Sequence, residues 1–210
     1  MRAVGLLSGF AGITRDPQNR LYLVGRPITD PPSGDTIEIQ RRTLHGDLDP
    51  TYGTGGRTTI VLPSSDDMPI ATDAHGPPAI VLGPDRSLFL AGRRTDPGTG
   101  RLSVIVRKFT PDGFVDSSFG DAGVLTIPAT VGSSRLGAFI VDGAGRLIVS
   151  HVDRTSAGLQ PMLSRYDGAT GELDPGYGNG GRIAVGNLVT GMALTADGDL
   201  LTVSRGVRSG

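Results

Sequence analysis

An all-β fold of tandem four-stranded units is predicted by three features of this 210-residue chain. Two short motifs recur along it at nearly constant separation. Turn-forming residues are abundant, with 33 Gly and 15 Pro, and they cluster between short apolar runs. No stretch carries apolar residues at a 3.6-residue period with caps, so helices are not expected. Self-similarity over tens of residues marks a repeat architecture, in which each unit leaves a face that only a neighbour can cover.

The first motif is Leu48-Asp49-Pro50-Thr51-Tyr52-Gly53-Thr54-Gly55-Gly56. It returns as Val115-Asp116-Ser117-Ser118-Phe119-Gly120-Asp121-Ala122-Gly123 and as Leu173-Asp174-Pro175-Gly176-Tyr177-Gly178-Asn179-Gly180-Gly181. The second motif appears at Arg20–Gly25, Ser87–Gly92, Arg146–Ser150 and Asp199–Ser204. Leu21 to Leu48 and Leu88 to Val115 are each 27 residues, and Leu147 to Leu173 is 26. Copies of the second motif lie 67, 59 and 53 residues apart. One stretch of the unit is therefore held in length while another varies.

Within the second unit, Ala79–Leu82 reads as strand one, and Pro84-Asp85-Arg86 as a turn. Ser87–Ala91 is strand two and Leu102–Phe109 strand three. Pro111-Asp112-Gly113 supplies a second turn before strand four, Val124–Ile127. β-branched and aromatic residues bounded by Gly, Pro and Asp carry these assignments. Units extend over about residues 10–63, 79–128 and 138–186, with a half unit at about 190–206. Such units in tandem suggest the blades of a β-propeller, a single repeat domain of about three and a half blades.

Ile105-Val106-Arg107 and the run Asp112–Gly120 resemble the delta-60 repeat family of bacterial propeller-like proteins. So does Ala79–Asp85 leading into Leu88-Phe89-Leu90-Ala91-Gly92, and the resemblance spans about residues 10–205. It implies a propeller and an exported or cell-surface location, and it transfers no catalytic residues. The chain departs from the pattern where His151 and Ser204 replace Gly25 and Gly92, and where the last unit stops after two strands. Met1–Gly12 has a basic start, but its apolar run is too short and Gly-broken for a convincing signal peptide.

Composition excludes several functions. Lys plus Arg number 20 and Asp plus Glu 21, which removes the electrostatic case for nucleic acid or an anionic membrane surface. No window approaches a membrane span. With no Cys, there is neither a disulfide framework, a thiolate metal site nor a thiol nucleophile. Motifs for a nucleophile elbow, a phosphate loop and a zinc helix are missing, and no cofactor or resident metal is expected.

The repeated polar residues read first as structure. Asp49, Asp116 and Asp174 each follow a Gly by three, where a short carboxylate can hold a turn; a ring of calcium ligands is the alternative. Arg42, Arg107 and Arg165 are expected to pair with those carboxylates or to cover an edge. Tyr52, Phe119 and Tyr177 are expected to wedge between units, with a stacking platform as the alternative.

Binding is expected on the opposite face. Turns after strands one and three share one face and keep their length. The variable connections lie on the other: 16 residues at Pro63–Pro78, 10 at Pro128–Gly137 and 5 at Gly186–Thr190. Variable loops on a rigid frame are where proteins place binding residues. The candidates are Asp66, Asp67, Asp73 and His75 in the longest connection, as solvated loop residues or as oxygen-rich ligands of a hard cation. His151 with Asp153 two residues on forms a proton-transfer pair or a satisfied surface histidine. Arg26, Arg93 and Arg205 end strand two, as a cationic rim for an acidic ligand or a solvated rim.

Two functions follow. The first is a non-catalytic binding or scaffold module presenting variable loops to a protein or glycan partner. The second is a propeller hydrolase or lyase with a metal- or His/Asp-assisted site on the same face. Three and a half units ask for completion by Met1–Leu7 as a closing strand, by further sequence in a larger propeller, or by a second copy in a homodimer.

Overall fold

The computed structural model describes residues 7–28, 36–64, 66–67, 80–128, 136–155 and 158–204. Among the described residues there is no helix, hence none long and apolar enough to cross a membrane. Four antiparallel sheets follow one another along the chain. The first runs in order β1 (Leu7–Arg15), β2 (Leu21–Pro27), β3 (Thr36–Arg42), β4 (Arg57–Val61). The second contains β5 (Asp66–Asp67) and β6 (Ile80–Leu82), both paired to β7 (Leu88–Thr95), then β8 (Leu102–Phe109) and β9 (Val124–Ile127). The third is β10 (Leu136–Val141), β11 (Leu147–Thr155), β12 (Gly158–Tyr166) and β13 (Arg182–Ala184). The fourth pairs β14 (Val189–Leu194) with β15 (Leu200–Ser204).

The first strands of successive sheets adjoin: β1 against β6, β6 against β10, and β10 against β14. Each breaks register at the same level. Between Ser8 and Gly12, three residues of β1 oppose only Gly25 of β2. Two oppose one between Leu136 and Phe139, and Thr190 is the single extra residue between Val189 and Gly191. A bulge of this kind leaves unpaired residues and bends the strand. In the second sheet the same break separates Asp67, opposite Arg93, from Ile80, opposite Leu90. Asp66–Asp67, expected in a loop, are strand residues paired to β7.

Burial on both sides explains the composition of the middle strands. On β7 and β8, Leu88, Leu90 and Ile105 pack towards the first sheet with Tyr22, Val24, Ile37 and Ile39. Phe89, Ala91, Val104 and Val106 pack towards the third with Phe139, Leu147 and Val149. A strand covered on both faces reads as a continuous apolar run instead of an alternation. On β3, by contrast, Ile37 and Ile39 alternate with Glu38, Gln40 and Arg42, whose side chains form a buried polar chain of their own. Gln40 donates to Glu38, Arg42 Nε donates to Gln40 Oε1 at 2.9 Å, and Arg57 Nη1 reaches Glu38 Oε1 at 3.1 Å.

A repeated contact joins the first unit to the second and the second to the third. The Gly53 N–H donates to the Asp112 carbonyl at 2.6 Å, and the Gly120 N–H to the Thr170 carbonyl at 2.8 Å. Beside each bond a fully buried ring fills the gap, Tyr52 at 0 % exposure and Phe119 at 0 %. Their edges meet Tyr22 and Phe89, both with ring centroids 5.6 Å apart. Each such ring contributes about 1.5–3 kcal/mol by burial. The interunit wedge expected of these aromatics is what the first two units show.

Candidate functional site

The repeated carboxylates are spent within their own turns. Asp49 Oδ1 accepts from the Thr51 N–H at 3.1 Å and from its hydroxyl at 2.7 Å, while Oδ2 takes Arg41 Nε at 2.9 Å. Asp116 repeats this with Ser118 and Lys108, the latter at 2.9 Å. Asp174 does so with the Gly176 N–H at 2.9 Å and Arg165 at 2.7 Å. Although burial opposes ionisation of Asp49, the Thr51 and Arg41 bonds hold its carboxyl below the usual range. The Ser118 hydroxyl does the same for Asp116, and the Gly176 N–H for Asp174. Among the described residues no group of three His, Cys, Asp or Glu can hold a metal ion.

Two of the three expected cations need correction. Arg165 pairs as expected, but the partners in the first two units are Arg41 and Lys108, not Arg42 and Arg107. The register is the reason: Arg41 lies opposite Tyr22 and Lys108 opposite Phe89, as Arg165 lies opposite Ile148. A shift of one residue along a strand turns the side chain to the other face. Arg42 there bonds Gln40 and the Gly46 carbonyl, at 2.9 and 2.7 Å. Arg41 and Arg165 also lie over the rings of Tyr52 and Tyr177, at 4.8 and 4.5 Å from the centroids.

His151 is not a surface histidine. It is 2 % exposed, and its Nε2 lies 2.8 Å from the hydroxyl oxygen of Ser164, itself 0 % exposed. β11 and β12 run side by side there, with Val149 opposite Ser164 and His151 opposite Met162. Burial pushes the His151 pKa down, and Asp153 only partly offsets this. Asp153 sits 3.7 Å from Arg182 Nη1 across the sheet. A Ser and a His are thus paired, and Asp153 pairs with Arg182. Sealed between sheets, that hydroxyl meets no substrate, so the arrangement serves as a satisfied polar pair in the core. Ser164 lies outside any motif, and only strand register identifies it as the partner of His151.

The loop candidates are brought together only in part. Backbone pairing sets Asp66 opposite Arg94 and Asp67 opposite Arg93. Arg26 lies opposite Ser8 at the matching level of the first sheet. Asp73, His75 and Arg205 lie outside the described residues, as do most residues of the variable connections.

A concavity lies on the other face, among the turns of constant length. A cavity of about 280 Å³ opens where the turns after β1, β6 and β10 converge, lined by Arg15, Asp16, Pro84, Arg86 and Asp142 among others. Each turn has the same build. The N–H groups of Asn19, Arg86, Gly145 and Gly198 donate to the carbonyls of Asp16, Gly83, Asp142 and Thr195. Those four donors all have positive φ, at 63°, 68°, 80° and 87°. Three turns from residues far apart in the chain form this cavity, and sequence inspection read them as frame alone.

Compared with known proteins, the chain matches no family model and no curated protein.

Proposed function

We propose that this chain is a non-catalytic binding or scaffold module whose sheets are propeller blades of the delta-60 type, displayed at the cell exterior. Its partner is a protein or glycan met by the loops that leave the second and fourth strands of each unit. The observation that carries the reading is the burial of the His151–Ser164 pair. Such a pair can order a core but cannot turn over a substrate. The side-by-side first strands of all four sheets support the blade arrangement, because a propeller gathers its inner strands around one axis.

Replacing residues 68–79 by a Gly-Ser linker tests the module against the hydrolase. Binding to immobilised glycans or surface proteins, read by interferometry, is expected to fall at least about tenfold while the melting temperature holds. Turnover of chromogenic ester or glycoside substrates that survives this replacement and is lost in Ser164→Ala would overturn the reading in favour of an enzyme.

A further inference from the structure

The cavity at the converging turns holds two kinds of charge, and only one kind is already satisfied. Asp16 Oδ2 is bridged by Arg20 Nε at 2.7 Å, while Oδ1 accepts two N–H groups of its own turn, at 3.0 and 2.8 Å. Asp142 is bridged by Arg146 Nε at 2.7 Å and accepts two N–H groups at 3.0 and 2.9 Å. Asp85, which does not line the cavity, gives Oδ1 to the N–H and hydroxyl of Ser87 at 3.0 and 2.6 Å. Arg15 and Arg86 line the cavity, and among the described residues their guanidinium groups have neither an ion pair nor a hydrogen bond.

Arg86 also occupies an unfavourable backbone position. It is the left-handed residue of its turn, at φ 68°, where the other three turns place Asn19, Gly145 and Gly198. A long side chain there carries a steric penalty that Gly avoids and Asn lessens. Strain of this kind persists where the residue has a task. The penalty falls on the one turn residue whose side chain adds a cation to the cavity.

We propose that this cavity is an oxyanion site, in which Arg15 and Arg86 take the carboxylate or phosphate group of a small ligand. Guanidinium groups offer paired N–H donors matched to both oxyanions. Pro17 and Pro84 on the lining hold two of the turns at fixed φ. With Asp16 and Asp142 neutralised by Arg20 and Arg146, the charge left on the lining is positive. The site is independent of the loop-face partner: replacing residues 68–79 leaves oxyanion binding unchanged.

Calorimetric titration of the intact chain with glucuronate, inorganic phosphate and methyl glucoside tests this. Saturable binding of glucuronate or phosphate is expected, weaker at high salt, with none for methyl glucoside. Binding by one oxyanion alone identifies a carboxylate or a phosphate as the ligand group; binding by both establishes the shared chemistry. Arg86→Gly is expected to bind about tenfold or more weakly and to melt no lower than the parent, since Gly relaxes the positive φ. Arg15→Gln, outside the turn, is expected to weaken binding equally. Absence of saturable binding by either oxyanion, or binding that survives both substitutions, overturns the proposal.

Discussion

Tyr52 and Tyr177 hold the same place in the first and third units, and their surroundings differ. Tyr52 is sealed by the second unit: a Cβ added to Gly113 would stand 2.8 Å from its ring, and the neighbouring Gly53 N–H is bonded across the gap. Phe119 repeats this against Gly171. Tyr177 is only half-buried, and among the described residues the Gly178 N–H beside it has no partner. Beyond it the fourth sheet has two strands among the described residues, with Leu201 and Val203 left 58 % and 68 % exposed. At the other end Gly46, the counterpart of Gly113, has nothing within 4 Å. Closely similar local sequence thus gives a closed contact or an open one according to whether a neighbour presents its turn, and a contact built this way stabilises only in pairs.

The largest effect separating the two is aromatic truncation. Tyr52→Ala is expected to cost about 3–5 kcal/mol, as for other buried aromatics, and Tyr177→Ala about 1 kcal/mol or less, both read by urea unfolding. Equal losses would break the comparison, because they would mean that the third unit's ring is covered as well.

A finer cut uses the paired glycines. Gly46→Val and Gly113→Val share the penalty of a β-branched residue at φ +87° and +89°, about 1–2 kcal/mol. Only Gly113→Val drives a side chain into the Tyr52 ring, adding about 1–3 kcal/mol. Matching midpoints for the two variants would remove the claim that this contact is tight.

The smallest effect concerns pH. The His151 pKa lies below its ordinary value through burial, so the unfolded chain takes up this proton first as pH falls. Stability from this site is therefore full above about pH 6.5 and declines below it. His151→Leu is expected to flatten the stability profile between neutral pH and about pH 5 relative to the parent. A profile that keeps its slope would place the histidine in water in the native state.

Much of the fold was legible in the residues. Leu102–Phe109 and Val124–Ile127 are strands to the residue, and the Gly and Asp punctuation marks real turns. The errors came from facing. Arg42 and Arg107 look equivalent to Arg165 because all are arginines near a strand end, yet register shows the equivalents to be Arg41 and Lys108. His151 looks exposed where two other units have Gly, but the adjoining sheet buries it. Of the binding site little could be read, since its lining comes from three hairpin turns that resemble mere connectors.

What the amino-acid order settled was local: strand lengths, turn positions and the recurrence of one unit. Those features depend on alternation, on residues tolerant of positive φ and on side chains that bond backbone a few positions away. What required the folded molecule was which side of each strand is covered, which charges are already paired, and where a cavity opens. Those outcomes depend on register and on contacts between units some sixty residues apart, so the same Asp, Tyr or Arg means different things in the first unit and the third.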